Sequence, residues 1–214
     1  MFKAIIFDMD GTLVDSEVVW DVAEREMFAD MGLEYTAEIR EQVIGLRLDE
    51  FFEKLIDIYG LENSVEELQA ELIKRMLIKI PEMVKPKSGA QEIIEWAAKQ
   101  NIPYCIASSS PMSIIEAAVN AQNWTDLIPK LYTADSVEKG KPAPDVYLYA
   151  AEQLGVKAED CLALEDSPNG ARSAVAAGMT CYAIPDSHSS PEKFADITPH
   201  VFKTLDDVLA KLTE

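Results

Sequence analysis

The feature that most constrains this chain is an alternation. Five short runs rich in β-forming residues, at 3–7, 103–107, 130–133, 161–164 and 180–184, are separated by segments with helical periodicity. Apolar runs of this length, bounded by polar turns, read as strands buried on both faces. Strands that alternate with helices must be joined by crossovers, so the pattern predicts an α/β fold, an open parallel sheet covered by helices on both sides. Ser64 with Glu67, Ser88 with Gln91 and Ser113 with Glu116 have the spacing of capping boxes, which satisfy N–H groups left free at a helix start.

The alternation fails once, between residues 16 and 83, where helical periodicity runs on without a strand. Val65, Leu68, Leu72, Met76 and Ile80 fall at three- and four-residue steps on one helix face and read as the core of an inserted helical bundle. The chain thus divides into a discontinuous α/β unit, 1–15 with 84–214, and a helical insert, 16–83. Residues 10–16 form the exit and Pro81, Pro86, Ser88 and Gly89 the return, which places the insert over the C-terminal ends of the strands. The insert carries 17 acidic and 7 basic residues, the charge of solvated helix faces. Residues 186–199, with Pro, Ser and His188, read as a surface loop.

Charge narrows the partners. With 38 acidic and 19 basic residues the net charge is −19, which argues against binding nucleic acid or an anionic membrane, since neutralising phosphates takes clustered positive charge. No run nears the ~18 apolar residues of a membrane span, and the apolar start at Met1–Phe7 is too short for a signal peptide. Cys105, Cys161 and Cys181 sit in apolar surroundings without CxxC spacing and read as reduced core residues. A cytoplasmic monomer acting on a small molecule is the expectation.

In an open α/β sheet, ligands bind beyond the carboxyl ends of the strands. There this sequence places Asp8, Asp10, Gly11 and Thr12 after the first strand, Ser108, Ser109 and Ser110 after the second, and Glu165, Asp166 and Ser167 after a later one. Any one Asp after a strand reads equally as a turn or cap residue; their convergence points to a site. Crowded carboxylates repel and take up protons unless a cation sits among them, and hard oxygen ligands without His or Cys nearby suit Mg²⁺. Lys141, in Gly140-Lys141-Pro142, adds a fixed positive charge. The run from Asp8 lacks the sixth-position Gly and twelfth-position Glu of a calcium loop, and neither a P-loop nor a GxGxxG turn occurs.

Asp8-Met9-Asp10-Gly11-Thr12, Ser108, Lys141 before Pro142-Ala143-Pro144-Asp145, and Glu165-Asp166 with Asn169-Gly170 closely resemble, in this order, the four signature motifs of the haloacid dehalogenase superfamily. The DxDGT run is specific; the single Ser and Lys gain weight from their order. The resemblance spans the whole chain, because the insert resembles the small helical cap of one subclass. Asp15-Ser16-Glu17 with Trp20, Gly45-Leu46-Arg47 and Ser108-Ser109-Ser110-Pro111 resemble the β-phosphoglucomutase-like branch, particularly bacterial sugar phosphatases of the 2-deoxyglucose-6-phosphate phosphatase kind.

The resemblance implies a Rossmann-like core and a Mg²⁺-dependent phosphatase that hydrolyses small sugar phosphates, hexose 6-phosphates foremost, through an aspartyl-phosphate. It makes Asp8 the nucleophile and Asp10 the general acid and base, with Ser108 and Lys141 on the phosphoryl oxygens. Mg²⁺ is then held by Asp8, Asp166 and the backbone carbonyl of Asp10, with Glu165 bound directly or through water. Thr12 helps hold the loop and, with Ser109 and Asn169, joins the phosphate and substrate contacts. Arg47 reaches sugar hydroxyls or a second anion, or pairs with Asp49 or Glu50; Trp20 is a stacking wall or insert core. The runner-up is a β-phosphoglucomutase, against which stand Trp20 where mutases usually carry His and Pro111-Met112 where they carry Lys-Asn. A dehalogenase does not want an acid at Asp10, and a non-catalytic Mg²⁺-binding module would show an eroded motif.

Overall fold

A computed structural model describes residues 2–43, 46–186 and 189–214; Gly45 and His188, named above, lie outside the described residues. In chain order the elements are β1 (Ala4–Phe7), β2 (Val14–Asp15), α1 (Glu17–Asp30), α2 (Ala37–Val43), α3 (Leu48–Tyr59), α4 (Val65–Met83), β3 (Lys85–Pro86), α5 (Ala90–Lys99), β4 (Tyr104–Ser108), α6 (Met112–Ala121), β5 (Leu131–Thr133), α7 (Asp145–Leu154), β6 (Cys161–Glu165), α8 (Pro168–Ala176), β7 (Thr180–Ala183) and α9 (Leu205–Thr213). The five β-forming runs are strands to within a residue at either end. They form one parallel sheet in the order β5-β4-β1-β6-β7. The chain starts at the centre, builds to one edge and returns to build the other, so a crevice opens beyond the C-terminal end of β1.

Alternation along β1 assigns its side chains to two layers. Ile5 and Phe7 join Ile93 and Ile94 of α5 and Ile114 and Ile115 of α6. Ala4 and Ile6 join Val146, Tyr147 and Ala150 of α7 and Ala171 and Ala174 of α8. The first layer continues through Leu13 and Val14 into the four consecutive helices α1 to α4, where Phe28, Phe52, Leu55 and Leu72 are buried. On α4, Leu68, Leu72, Met76 and Ile80 are buried as the spacing predicts, and Val65 packs beside them. At about 1.5–3 kcal/mol per buried side chain, this stripe outweighs the roughly 1 kcal/mol of the helix's N-cap. α4 packs against α1, α3 and α6, and the antiparallel ribbon β2–β3, with Val14 opposite Pro86, ties the passages into and out of the helices together.

Of the three capping boxes, the one at Ser64 forms: its Oγ accepts from the Glu67 N–H at 3.2 Å and Glu67 Oε2 accepts from the Ser64 N–H at 3.1 Å. The other two do not. Gly89, at φ +80°, takes the N-cap of α5 while Ser88 donates to Asp206 Oδ2 at 2.6 Å, and α6 starts behind Pro111, which draws Ser113 into its first turn. Helix α4 continues through Pro81 to Met83. The segment read as a surface loop is anchored: Phe194, at the end of the 3₁₀ turn Pro191–Phe194, packs into the α7–α8 layer, and buried Thr198 donates to the Cys181 carbonyl at 2.7 Å. Among the described residues no helix is long and apolar enough to cross a membrane.

Candidate active site

Asp8 and Asp10 are two residues apart on extended backbone, the separation that returns a side chain to the same face. Asp8 is still in the ladder, its N–H donating to the Leu164 carbonyl at 2.9 Å. The chain then turns through Gly11 at φ +78°, where a Cβ would overlap the Asp166 carboxylate, so the tight turn and the close approach both require glycine.

Beneath this turn lies a buried ionic cluster. Lys141 Nζ is 2.6 Å from Asp8 Oδ1 and 2.7 Å from Glu165 Oε1, and it also donates to the Ala107 carbonyl at 3.3 Å. Tyr147 donates to Glu165 Oε1 at 2.9 Å, while Glu165 Oε2 accepts from the N–H groups of Asp166 and Ser167 and the Ser167 hydroxyl, each at 3.1 Å. Every oxygen of Glu165 is therefore engaged. Gly170 leaves room for it, since a Cβ there would overlap the carboxylate. Thr12 donates to Asp166 Oδ1 at 3.2 Å.

Carboxylate oxygens of Asp8, Glu165 and Asp166 lie within 4.8 Å of one another, all buried. Burial pushes Asp8 and Asp166 well above the usual carboxylate range; Lys141 opposes this at Asp8, and Glu165 adds to it at both. Burial would lower the Lys141 ammonium, but Asp8 and Glu165 outweigh it and hold it raised. Three carboxylates face one ammonium, an excess that one divalent cation balances, and the donors are all hard oxygen. The set fits a metal of the Mg²⁺ kind.

Asp10 stands at the mouth of the crevice with both oxygens engaged. Oδ1 accepts from Ser16 Oγ at 2.6 Å and Trp20 Nε1 at 3.2 Å; Oδ2 accepts from Ser108 Oγ at 3.2 Å and Ser110 Oγ at 2.7 Å. Two donors precede or belong to α1, one ends β4 and one follows it, so this carboxylate joins the helices to the sheet. Above it is a cleft of about 300 Å³, floored by Asp8, Asp10, Lys141 and Asp166 and roofed by α1, α2 and the segment leading into α3.

Residues 5–184 match the family described as haloacid dehalogenase-like hydrolase. The chain belongs to that family. It is 34% identical over 201 residues to the "Probable pseudouridine-5'-phosphatase" of Drosophila melanogaster, covering 90% of this chain and 86% of that one. It is 32% identical over 217 residues to hexitol phosphatase B of Escherichia coli K12, covering 99% and 93%. The crystal structure of CbbY from Rhodobacter sphaeroides in complex with phosphate superposes with a TM-score of 0.91 over all of both chains at 26% identity. The hydrolase is of the phosphoric monoester type.

The hydrolase brings most of its sequence-predicted residues together: Asp8, Asp10, Trp20, Ser108, Ser109, Lys141, Asp166 and Asn169 all line the cleft. Trp20 is neither pure core nor only a wall, because its Nε1 binds Asp10. One expectation is corrected, and one of two open alternatives is met. Thr12, expected among the phosphate and substrate contacts, is fully buried below the turn and spends its hydroxyl on Asp166. Arg47 does not line the cleft; it pairs with Asp49, with Nε and Nη2 at 2.7 and 2.6 Å from its two oxygens.

The roof holds residues that the motifs did not point to. Arg40 Nη2 is 2.8 Å from Glu17, and its Nε is 3.4 Å from both Asp21 and Glu24. Tyr35 donates to Glu24 Oε2 at 2.9 Å. Burial raises Glu24 to about 7 against the pull of Arg40 and Tyr35. Arg40 and Glu24 come from different helices and share no spacing; Tyr147, also missed, lies in α7, just beyond the Lys141 motif.

Proposed function

We propose that this hydrolase is a Mg²⁺-dependent phosphatase acting on small sugar monophosphates, hexose 6-phosphates foremost, with helices α1 to α4 as a cap over the catalytic crevice. The observation that carries the reading is the pairing of two carboxylates with different surroundings on one turn: Asp8 bound to buried Lys141, and Asp10 at the cleft mouth among four neutral donors. An Asp8 oxygen attacks phosphorus as the bond to the sugar oxygen breaks, and Asp10 delivers its proton to that oxygen. Water then attacks the aspartyl-phosphate, Asp10 takes up the proton, and the bond from phosphorus to Asp8 breaks. Lys141 and Ser108 sit where charge spreads over the phosphoryl oxygens. Asp8, Asp166 and the Asp10 carbonyl would hold Mg²⁺, with Glu165, occupied by Lys141 and backbone N–H groups, reaching it through water. When bound, the ion supplies positive charge against the phosphoryl group.

Hydrolysis rather than mutase chemistry is favoured by the roof. Arg40 is already committed to three carboxylates, and Glu41 adds a further negative charge to the lining, so a second phosphate would meet repulsion there. Hydroxyl groups suit such a wall, because carboxylates accept and the guanidinium donates. The similarity to a hexitol phosphatase supports this substrate class. The test is phosphate release from hexose and hexitol monophosphates and from β-glucose 1-phosphate, with Mg²⁺ and with EDTA. Release that needs Mg²⁺ and favours one or a few sugars is the expected result; conversion of glucose 1-phosphate to glucose 6-phosphate with little free phosphate would replace this reading by the mutase.

A further inference from the structure

Arg47 does not reach the cleft, and what it holds instead is specific. Its Nε and Nη2 form a two-pronged pair with Asp49, whose Oδ1 also accepts from the Glu50 N–H at 2.9 Å. The remaining nitrogen, Nη1, reaches across to the sheet side and lies 3.4, 3.3 and 3.5 Å from the carbonyls of Ala134, Val137 and Glu138. These carbonyls flank the 3₁₀ turn Ala134–Ser136: that of Ala134 opens it and already accepts from the Val137 N–H at 3.2 Å, and those of Val137 and Glu138 follow it. The guanidinium has no edge left for a substrate.

That turn stands between two parts of the catalytic apparatus. Upstream, Thr133 caps it, accepting from the Asp135 N–H at 3.1 Å, and donates to the Ser110 carbonyl at 2.8 Å; Ser110 in turn binds Asp10. Downstream, Glu138 is three residues from Lys141. The backbone packs closely there, since a Cβ on Gly140 would stand 3.4 Å from the Arg47 Cβ. A side chain just before α3 thus grips the segment that presents Lys141.

We propose that Arg47 is a positioning residue, a strap from the helical insert to residues 134–138 that sets the Lys141 segment when the insert is closed over the cleft. The proposal rests on the phosphatase reading for its kinetic consequence, though not for its structural one. A substrate ligand and a strap leave different signatures. Loss of a ligand to sugar hydroxyls raises KM for sugar phosphates alone. Loss of the strap displaces groups that act on the phosphoryl oxygens, which every phosphate ester shares, and so lowers kcat without regard to the leaving group.

The experiment uses the full chain with Mg²⁺ and compares Arg47→Ala and Arg47→Lys with the parent on hexose 6-phosphate and p-nitrophenyl phosphate, alongside amide hydrogen exchange. Arg47→Ala is expected to lower kcat about 10- to 100-fold by the same factor on both esters, with KM within about threefold. Arg47→Lys, which keeps the charge without the fork, recovers part of that loss. Exchange over 134–141 is faster in Arg47→Ala than in the parent. A loss confined to the sugar ester, a loss seated in KM, or parental exchange over 134–141 would each overturn the strap. If Arg47→Ala does not fold, Arg47→Lys and Asp49→Asn, which releases the guanidinium's other edge, are read by the same criteria. Should the parent release phosphate from no ester, the phosphatase reading fails, and the strap stands or falls on exchange alone.

Discussion

The floor and the roof of the cleft are both acid-rich, and they hold their charges in opposite ways. On the floor, Asp8, Glu165 and Asp166 are buried around Lys141, and rigid backbone supplies the rest: two N–H groups on Glu165, one carbonyl on Lys141, and glycines where carboxylates need room. On the roof, Glu17, Asp21 and Glu24 gather on Arg40 through side chains alone, at distances of 2.8 to 3.4 Å. The floor is organised for a charge that arrives with the substrate and moves during reaction. The roof keeps an excess of carboxylates around a single guanidinium and is suited to reading neutral hydroxyls. Chemistry and selection are separated by how their charges are anchored.

That contrast is broken most directly at Asp8. Asp8→Asn is expected to lower turnover by about 10³-fold or more on every ester, since no other floor carboxylate is free to attack phosphorus. Wild-type turnover in a preparation shown by mass spectrometry to keep the asparagine would move the nucleophile elsewhere. Lys141→Met tests the anchoring. It leaves Asp8 and Glu165 buried without their shared cation and should cost about 3–5 kcal/mol, measured by urea unfolding in EDTA. The cost shrinks at acid pH, where Asp8, already raised by burial, takes up a proton.

The two regions also differ in how much of them could be read from sequence. The five strands and the floor residues were legible because both follow local rules: apolar runs of strand length, and polar residues at strand ends two apart on extended backbone. Helix α4 was legible from its stripe. The capping boxes at Ser88 and Ser113 misled, because the pattern says nothing of whether a neighbouring Gly89 or Pro111 takes the cap. Thr12 misled because it sits in the motif yet points beneath it. The roof was opaque: Arg40 meets Glu24 across sixteen residues and two helices, and only the packing of α1 on its neighbours brings them together. The same holds for Arg47, whose carbonyl partners lie some ninety residues away.

Glu24 sharpens the comparison through pH. Its carboxyl is raised from 4.5 to about 7, so between those values the unfolded chain ionises it while the folded chain keeps the proton. The folded state then binds more protons, and stability from this group falls as pH rises through that window and levels off above it. The full span is worth up to about 3 kcal/mol. Glu24→Gln should flatten that part of the stability profile between pH 4.5 and 7 in urea titrations, with kcat affected far less than in Asp8→Asn. An unchanged profile would mean that Arg40 and Tyr35 keep Glu24 charged throughout.

The smallest expected effect lies where roof meets floor. Trp20, on α1, is a wall of the cleft and a donor to Asp10, and Trp20→Phe keeps most of the wall while deleting the donor. Three donors to Asp10 remain, so the loss should be that of one hydrogen bond, about 1 kcal/mol or a factor of roughly five in rate. It should also depend on the leaving group. A sugar alkoxide must be protonated as it departs, which needs Asp10 correctly aimed, whereas p-nitrophenolate leaves without a proton. Trp20→Phe is therefore expected to slow the first half-reaction with hexose 6-phosphate and to leave it nearly unchanged with p-nitrophenyl phosphate, as measured by pre-steady-state release of the alcohol. Equal slowing of both would place Trp20 with the floor residues that serve phosphorus; a change in KM alone would make it only a wall.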